Sequence, residues 1–238
     1  MVKSMRHLSS FHLSALNMFF RRKKESLFSK YQNYTMIPLA IFEDNIMLCT
    51  KYTLPEGDIV ECGVWRGGMI AALSELLGNN RMYHLFDSFE GLPKAQEKDG
   101  EWAKKWQDNK NLWYFDNCRA EQEYATEAMK MAGCVNYKIY KGWFKDTLSS
   151  YSGKSIAILR LDGDWYDSTY QCLEELYPKV ADNGLIIVDD YYAWAGCIRA
   201  IYDYFSLNHI TDRIRSTPNG VCYIIKNEPF PFELALKK

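Results

Sequence analysis

The chain has 238 residues, a formal net charge of −1, 47% apolar and 15% aromatic residues, a size and composition suited to one large globular domain with a substantial core, or one domain with extensions. The near-neutral charge gives no electrostatic case for a nucleic-acid partner, and no apolar run reaches the roughly 18 residues a membrane span needs. The seven cysteines show no paired CxxC spacing, and Cys62, Cys172 and Cys222 lie in apolar stretches, which suits reduced core thiols in a reducing, cytoplasmic compartment rather than a disulfide or zinc framework.

In chain order, residues 1–24 come first, with Lys3, Arg6, Arg21, Arg22, Lys23 and Lys24 and no acid before Glu25. They form the core of a basic N-terminal extension over residues 1–30 without a secretory h-region; a partner-docking helix and a targeting segment both fit it. The main domain is expected over 31–238. It opens with a cover helix inside 31–56, where residues 30–52 look helical and carry Met36, Ile37, Leu39, Ile41, Phe42, Ile46, Met47 and Leu48.

From Asp58 the pattern alternates strand and helix, as in a parallel α/β sheet. Asp58–Val64 reads as a strand, Gly67–Leu77 as a helix stopped by Gly78, and Met82–Phe86 as a strand ending at Asp87. Residues 91–118 break the rhythm with a charged insertion rich in Trp102, Trp106, Trp113, Tyr114 and Phe115. A patternless segment of that length inside a compact domain suits a lid over a site, with an ordinary surface excursion as the alternative. A helix over Ala120–Ala132 and a strand over Tyr137–Tyr140 follow. Strands at Ile156–Leu161 and Leu185–Val188 flank a helix over Thr169–Val180, which Asp167, Ser168 and Thr169 are placed to cap. A helix over Ala195–Phe205 precedes two last strands, Ile210–Arg215 and Val221–Lys226. The Ser-Thr-Pro-Asn-Gly turn between them demands antiparallel pairing. A parallel sheet finished by an antiparallel hairpin strand is characteristic of class I methyltransferases.

Two groups of residues carry chemistry. The first strand runs into Glu61, Gly63, Val64, Trp65, Arg66, Gly67 and Gly68 before a helix. Glycines between strand and helix let a ligand lie against backbone, and an acid before the turn opposes pyrophosphate but helps hold a cationic ligand. Asp87, about 24 residues beyond Gly63, stands where an acid accepts the hydroxyls of an adenosine ribose; as a bland alternative it caps a turn, a duty Ser88 can share. In the second group, Asp162 ends one buried strand and Asp189 and Asp190 end the next. Carboxylates gathered on one sheet edge repel one another unless a proton or hard cation intervenes, so a divalent ion is expected on Asp162, Asp189 and Asp190. All-oxygen ligation favours Mg²⁺, with Mn²⁺ or Ca²⁺ as substitutes. Asp164 could bind metal-held water or orient an acceptor. His84 falls inside a strand and is expected to be packed.

The segments ECGVWRGG, LFDSFEGLP, GWFKDTL, LRLDGDWYDST and VDDY, in that order, resemble the macrocin O-methyltransferase family over roughly residues 33–226. The resemblance implies a Rossmann-like class I methyltransferase fold: a mostly parallel seven-stranded sheet with an antiparallel terminal hairpin strand and helices on both faces. It implies S-adenosylmethionine as methyl donor, Mg²⁺, a sugar hydroxyl as acceptor (on a glycoside, a glycan or a nucleotide sugar), and a homodimer or higher homo-oligomer. By position, Glu61, Gly63, Arg66 and Gly67, with the intervening Val64 and Trp65, surround the methionine portion. Asp87 and Ser88 face the ribose, Gly142 and Trp143 border the adenine, and Asp162 adjoins the cofactor while binding metal with Asp189 and Asp190. Asp162 is the base by family analogy, but a metal-bound carboxylate is a poor base, which brings in Asp164. The 91–118 insertion departs most from the family pattern, and the acceptor is what that departure leaves open. A catechol-like diol is the second acceptor class. A DxD nucleotide-sugar glycosyltransferase would leave ECGVWRGG without a role, and a non-catalytic cofactor-binding module would leave three carboxylates without one.

Overall fold

The computed structural model describes residues 22–109 and 114–229; residues 1–21 of the basic extension and 110–113 of the insertion lie outside the described residues. Seven strands form one sheet: β1 (Asp58–Cys62), β2 (Tyr83–Asp87), β3 (Tyr137–Lys141), β4 (Ile156–Leu161), β5 (Val180–Val188), β6 (Arg215–Ser216) and β7 (Cys222–Ile225). Their spatial order is β3-β2-β1-β4-β5-β7-β6. The first five are mutually parallel, whereas β7 runs antiparallel to β5 and β6 antiparallel to β7. This is the mostly parallel sheet with an antiparallel end that the residue pattern implied.

The helices are α1 (Leu39–Lys51), α2 (Gly68–Leu77), α3 (Gly100–Asn109), α4 (Gln122–Met131), α5 (Tyr166–Leu176) and α6 (Ala195–Leu207). All but α3 pack on the two sheet faces because the central strands are largely apolar in both directions. On β4 and β5, Ile158 and Ile187 point into the core shared with α1, α2 and α4, while Leu159 and Ile186 point into the core shared with α5 and α6. All six residues of β4 are buried, as a strand covered on both faces requires. The strand order reverses beside β1 and β4, and crevices at such a reversal, at the carboxyl ends of the strands, are where open α/β sheets hold ligands.

Several boundaries differ from the sequence expectation for physical reasons. The helix expected over 30–52 is interrupted: a helical segment covers 22–31, Gln32–Tyr34 forms a 3₁₀ turn, and α1 begins only after Pro38. A proline lacks the N–H a continuing helix needs, and it pushes the residue before it out of helical geometry. The insertion has secondary structure of its own in α3. Helix α5 starts at Tyr166, three residues before the expected Thr169. The expected strand over Ile210–Arg215 shrinks to Arg215–Ser216. Among the described residues, no helix is long and apolar enough to cross a membrane.

Candidate active site

The turns after β1 and β4 lie against each other at the strand-order reversal. Gly63 has φ +88°, and a Cβ there would stand 1.7 Å from the carbonyl oxygen of Asp162. Only glycine admits that approach. The contact continues the ladder, since Asp162 N donates to Cys62 O at 2.9 Å and Gly63 N donates to Phe86 O at 2.8 Å. Asp87 braces the glycine turn from the next strand: its Oδ2 accepts from Val64 N and Trp65 N, both at 2.8 Å, and its Oδ1 accepts from Phe89 N at 2.7 Å. Asp87 therefore caps the turn, and still keeps acceptor capacity toward the cavity. Ser88 serves the turn after β2 instead, accepting from Glu90 N and donating to Gly91 O.

A cavity of about 540 Å³ opens here, enough for a cofactor-sized ligand. Of the residues expected around a cofactor, Glu61, Gly63, Val64, Trp65, Asp87, Ser88, Trp143 and Asp162 line it. Arg66, Gly67 and Gly142 do not form its wall. The Arg66 guanidinium is sandwiched between the rings of Trp65 (4.4 Å) and Tyr124 (4.6 Å), and it donates to Asn33 O. Gly67, at φ +78°, is the N-cap of α2. Tyr34 to Pro38, the segment freed by the helix break, makes one wall that the sequence reading missed. It can lean on the turn because Gly68 lacks a Cβ, which would stand 2.5 Å from Tyr34 O.

Charge at the cavity floor centres on Arg160, a residue the sequence reading passed over. It is 1% exposed. Its Nη1 donates to Glu61 Oε1 at 2.6 Å and to Asp162 Oδ2 at 2.7 Å, its Nη2 to Asp189 Oδ1 at 2.6 Å, and its Nε to Asn45 Oδ1 at 3.1 Å. A signal for it existed: an arginine inside a wholly apolar strand must have acidic partners, and Asp162 stands two residues on, on the same strand face.

Asp162, Asp164 and Asp190 each place a carboxylate oxygen within 4.8 Å of the others. Asp164, at φ +57°, donates its backbone N–H to Asp190 Oδ2 at 2.8 Å and accepts a side-chain hydrogen bond from Trp194. Asp189, expected with this group, lines the same cavity but gives one oxygen to Arg160. Burial, with repulsion from neighbouring acids, raises Asp164 and Glu61 to about 8 and Asp162 to about 6, while Arg160 pulls the last two back down. Asp190 is also raised, by burial and then by Asp164. The site is thus short of positive charge. Glu61 Oε2 is buried without a hydrogen-bond partner among the described residues, which fits the ammonium of a methionyl group; the acids gathered at this end of the sheet, Asp162, Asp189 and Asp190 among them, fit a hard divalent cation. His84 belongs elsewhere, buried between Tyr140 OH at 3.0 Å and Asp58 Oδ2 at 3.1 Å.

The insertion docks on the segments that follow the acid-bearing strands. Trp165 Nε1 donates to Pro93 O at 2.9 Å, and Trp106, Trp165 and Trp194 meet edge to face. Asp99 accepts from Tyr166 N and from Gln96 N, both at 2.7 Å. The first turn of α5 is therefore capped from the insertion, not by Asp167, Ser168 and Thr169 as expected; Asp167 instead pairs with Lys98 and accepts from Gln96. Residues Phe115 to Cys118 all have positive φ, a left-handed turn tied down by Asn117, whose side chain donates to Leu92 O and accepts from Gln107. Cys118 reaches the cavity, its thiol pushed up by burial and by the nearby carboxylates.

The sheet order, with a glycine turn braced by the acid of the second strand, defines a class I methyltransferase. Residues 21–224 match the macrocin O-methyltransferase (TylF) family. The chain is 33% identical over 192 residues to demethyldecarbamoylnovobiocin O-methyltransferase of Streptomyces niveus, covering 76% of this chain and 71% of the relative. It is 30% identical over 183 residues to mycinamicin III 3''-O-methyltransferase of Micromonospora griseorubida, covering 72% and 70%. The solved structure of the O-methyltransferase NovP superposes with a TM-score of 0.69 at 30% identity, covering 82% of this chain and 83% of that one. The chain belongs to the macrocin O-methyltransferase family and is an O-methyltransferase, with S-adenosylmethionine as the donor that this family implies.

Proposed function

We propose that this enzyme methylates a hydroxyl of a sugar carried by a glycosylated small molecule, assisted by a divalent cation. The observation that carries the reading is one cavity in which an acid with an unclaimed oxygen, Glu61, and the Asp162, Asp164 and Asp190 cluster are joined through the Gly63–Asp162 contact. Relatives named for methylating demethyldecarbamoylnovobiocin and the 3'' position of mycinamicin III point to glycoside acceptors.

Bound S-adenosylmethionine supplies an electrophilic methyl group. Glu61 would hold its ammonium, Asp87 its ribose hydroxyls and Trp143 the neighbourhood of its base. The acceptor hydroxyl attacks in line, giving a methyl ether and S-adenosylhomocysteine, and the protein's task is alignment and proton removal. A divalent cation, when bound, stabilises negative charge developing on that hydroxyl. Asp164 would take the proton: no arginine among the described residues contacts it, whereas Asp162 gives one oxygen to Arg160 and is placed to hold the ion. That assignment leaves Asp162 and Asp190 to hold the ion, with Asp189 as third ligand through the oxygen that Arg160 does not engage. The described parts of the insertion would close over the acceptor.

The test is transfer of labelled methyl to a panel of glycosides, nucleotide sugars and catechols, with and without EDTA. Glycosides should be methylated and EDTA should abolish transfer. S-adenosylhomocysteine should raise the melting temperature while UDP- and GDP-sugars should not. Transfer to catechols alone, or activity indifferent to EDTA, would overturn the reading.

A further inference from the structure

Arg160 stands between the two halves of the site. Register pairs it with Glu61 across β1 and β4, and Asp162 follows on the same strand face. One guanidinium thus contacts Glu61 on the cofactor side, and Asp162 and Asp189 on the acceptor side. A buried charge persists only when paired in good geometry, and a planar fork spreads five donors over three fixed nitrogens, whereas an ammonium presents its three from a single one. The fork is itself held. Asn45, fully buried in α1, accepts from Arg160 Nε and donates to Ile41 O at 2.9 Å, so the cover helix fixes the guanidinium's orientation.

Glu61 Oε1 and Asp162 Oδ2 both bind the same nitrogen, Nη1. Each acid therefore gives Arg160 one oxygen and keeps the other. For Glu61 the other is the buried oxygen without a partner. The orientation that leaves Glu61 able to receive an ammonium and the orientation of Asp162 and Asp189 beside the cavity are set by one side chain.

We propose that Arg160 is a positioning residue shared by both half-sites, so that affinity for the cofactor and affinity for the divalent cation depend on it together. This rests on the cation-assisted reading of the site proposed above. Arg160→Lys keeps the charge but cannot reach three carboxylates at once. Asn45→Ala keeps the arginine and removes the support of its Nε.

Both variants are compared with the unaltered chain by calorimetric titration of S-adenosylhomocysteine and by spin-resonance titration of Mn²⁺, with no acceptor present and folding checked by circular dichroism. The expected result is that Arg160→Lys weakens both ligands by about tenfold or more, as loss of a ligand-orienting partner does, and Asn45→Ala weakens both by a smaller factor. In contrast, Glu61→Gln should weaken S-adenosylhomocysteine and Asp189→Asn should weaken Mn²⁺. A purely structural arginine would lower the melting temperature and leave both dissociation constants of the folded protein in place. Folded Arg160→Lys with both affinities intact, or with only one reduced, overturns the proposal. Should Arg160→Lys not fold, Asn45→Ala decides: joint weakening supports the proposal and unchanged affinities overturn it. If the unaltered chain fails to bind both ligands, the cation-assisted reading of the site falls and this proposal with it; if it binds both and the variants match it, only the role of Arg160 falls.

Discussion

A single missing methyl group at Gly63 lets the cofactor and acceptor turns share a boundary. An alanine there would need φ +88° and would meet Asp162 O at 1.7 Å, so one of the two turns must move. Gly63→Ala should cost about 3 kcal/mol or more in denaturant unfolding and abolish S-adenosylhomocysteine binding in titration calorimetry; a variant of normal stability and affinity would show that the turns are not so tightly joined. The acids make a second residue-scale contrast. With Asp164 as base, Asp164→Asn should lose about a hundredfold or more in kcat yet bind Mn²⁺ normally. Asp189→Asn should weaken Mn²⁺ while keeping Asp164's pH profile for the residual turnover. Reversed outcomes would exchange the two roles. The sequence disclosed these acids because each follows an apolar strand. It disclosed less of Arg160, whose importance depends on three partners that only β1, β4 and β5 side by side can supply.

At the scale of elements, the described parts of the 91–118 insertion are attached to the starts of α5 and α6 more firmly than a patternless stretch suggests. Its tryptophans were visible in the chain, but their partners were not. Trp106 meets Trp165 and Trp194, and Asp99 reaches Tyr166 N, contacts that span long stretches of chain and have no local periodicity. For the same reason local spacing points to Asp167, Ser168 and Thr169 as the cap of α5, whereas a tertiary carboxylate, Asp99, takes that place. Likewise, the apolar pattern around Met36 and Ile37 suggested helix, while Pro38 opened it into a cavity wall. Asp99→Ala removes the side-chain acceptors of two backbone N–H groups and should cost about 1–3 kcal/mol. With the insertion loosened, the acceptor KM should rise while S-adenosylhomocysteine affinity stays unchanged. If cofactor affinity falls in parallel with the acceptor, the segment serves the whole cavity rather than the acceptor alone.

Across the whole molecule, the sheet carries buried ionisable groups at both ends, and they respond oppositely to pH. The alternation of strand and helix, and the acids at strand ends, made the carboxyl-end cluster legible; the opposite end was not, because His84, Asp58 and Tyr151 meet across separate strands and loops. His84 is lowered from its ordinary value near 6.5, chiefly by burial, so the folded state resists its protonation. Its contribution is fully present above pH 6.5 and is lost as pH falls. Glu61 and Asp164 are raised to about 8, so without bound cations the folded chain holds protons that the unfolded chain has already released. Their contribution is present at low pH and lost as pH rises through about 8. Above pH 6.5 the histidine no longer changes, and the acids alone set the slope. Each proton given up there costs as much as about 1.4 kcal/mol per pH unit. The melting temperature of the chain freed of ligands should therefore drop by several degrees between pH 6.5 and 8.5. Saturating Mn²⁺ with S-adenosylhomocysteine should flatten that slope, because the cations neutralise the same carboxylates that the protons did. A ligand-free chain whose melting temperature is constant over that interval would mean that Arg160 already balances the cluster, and that no cation is needed to hold the acids in place.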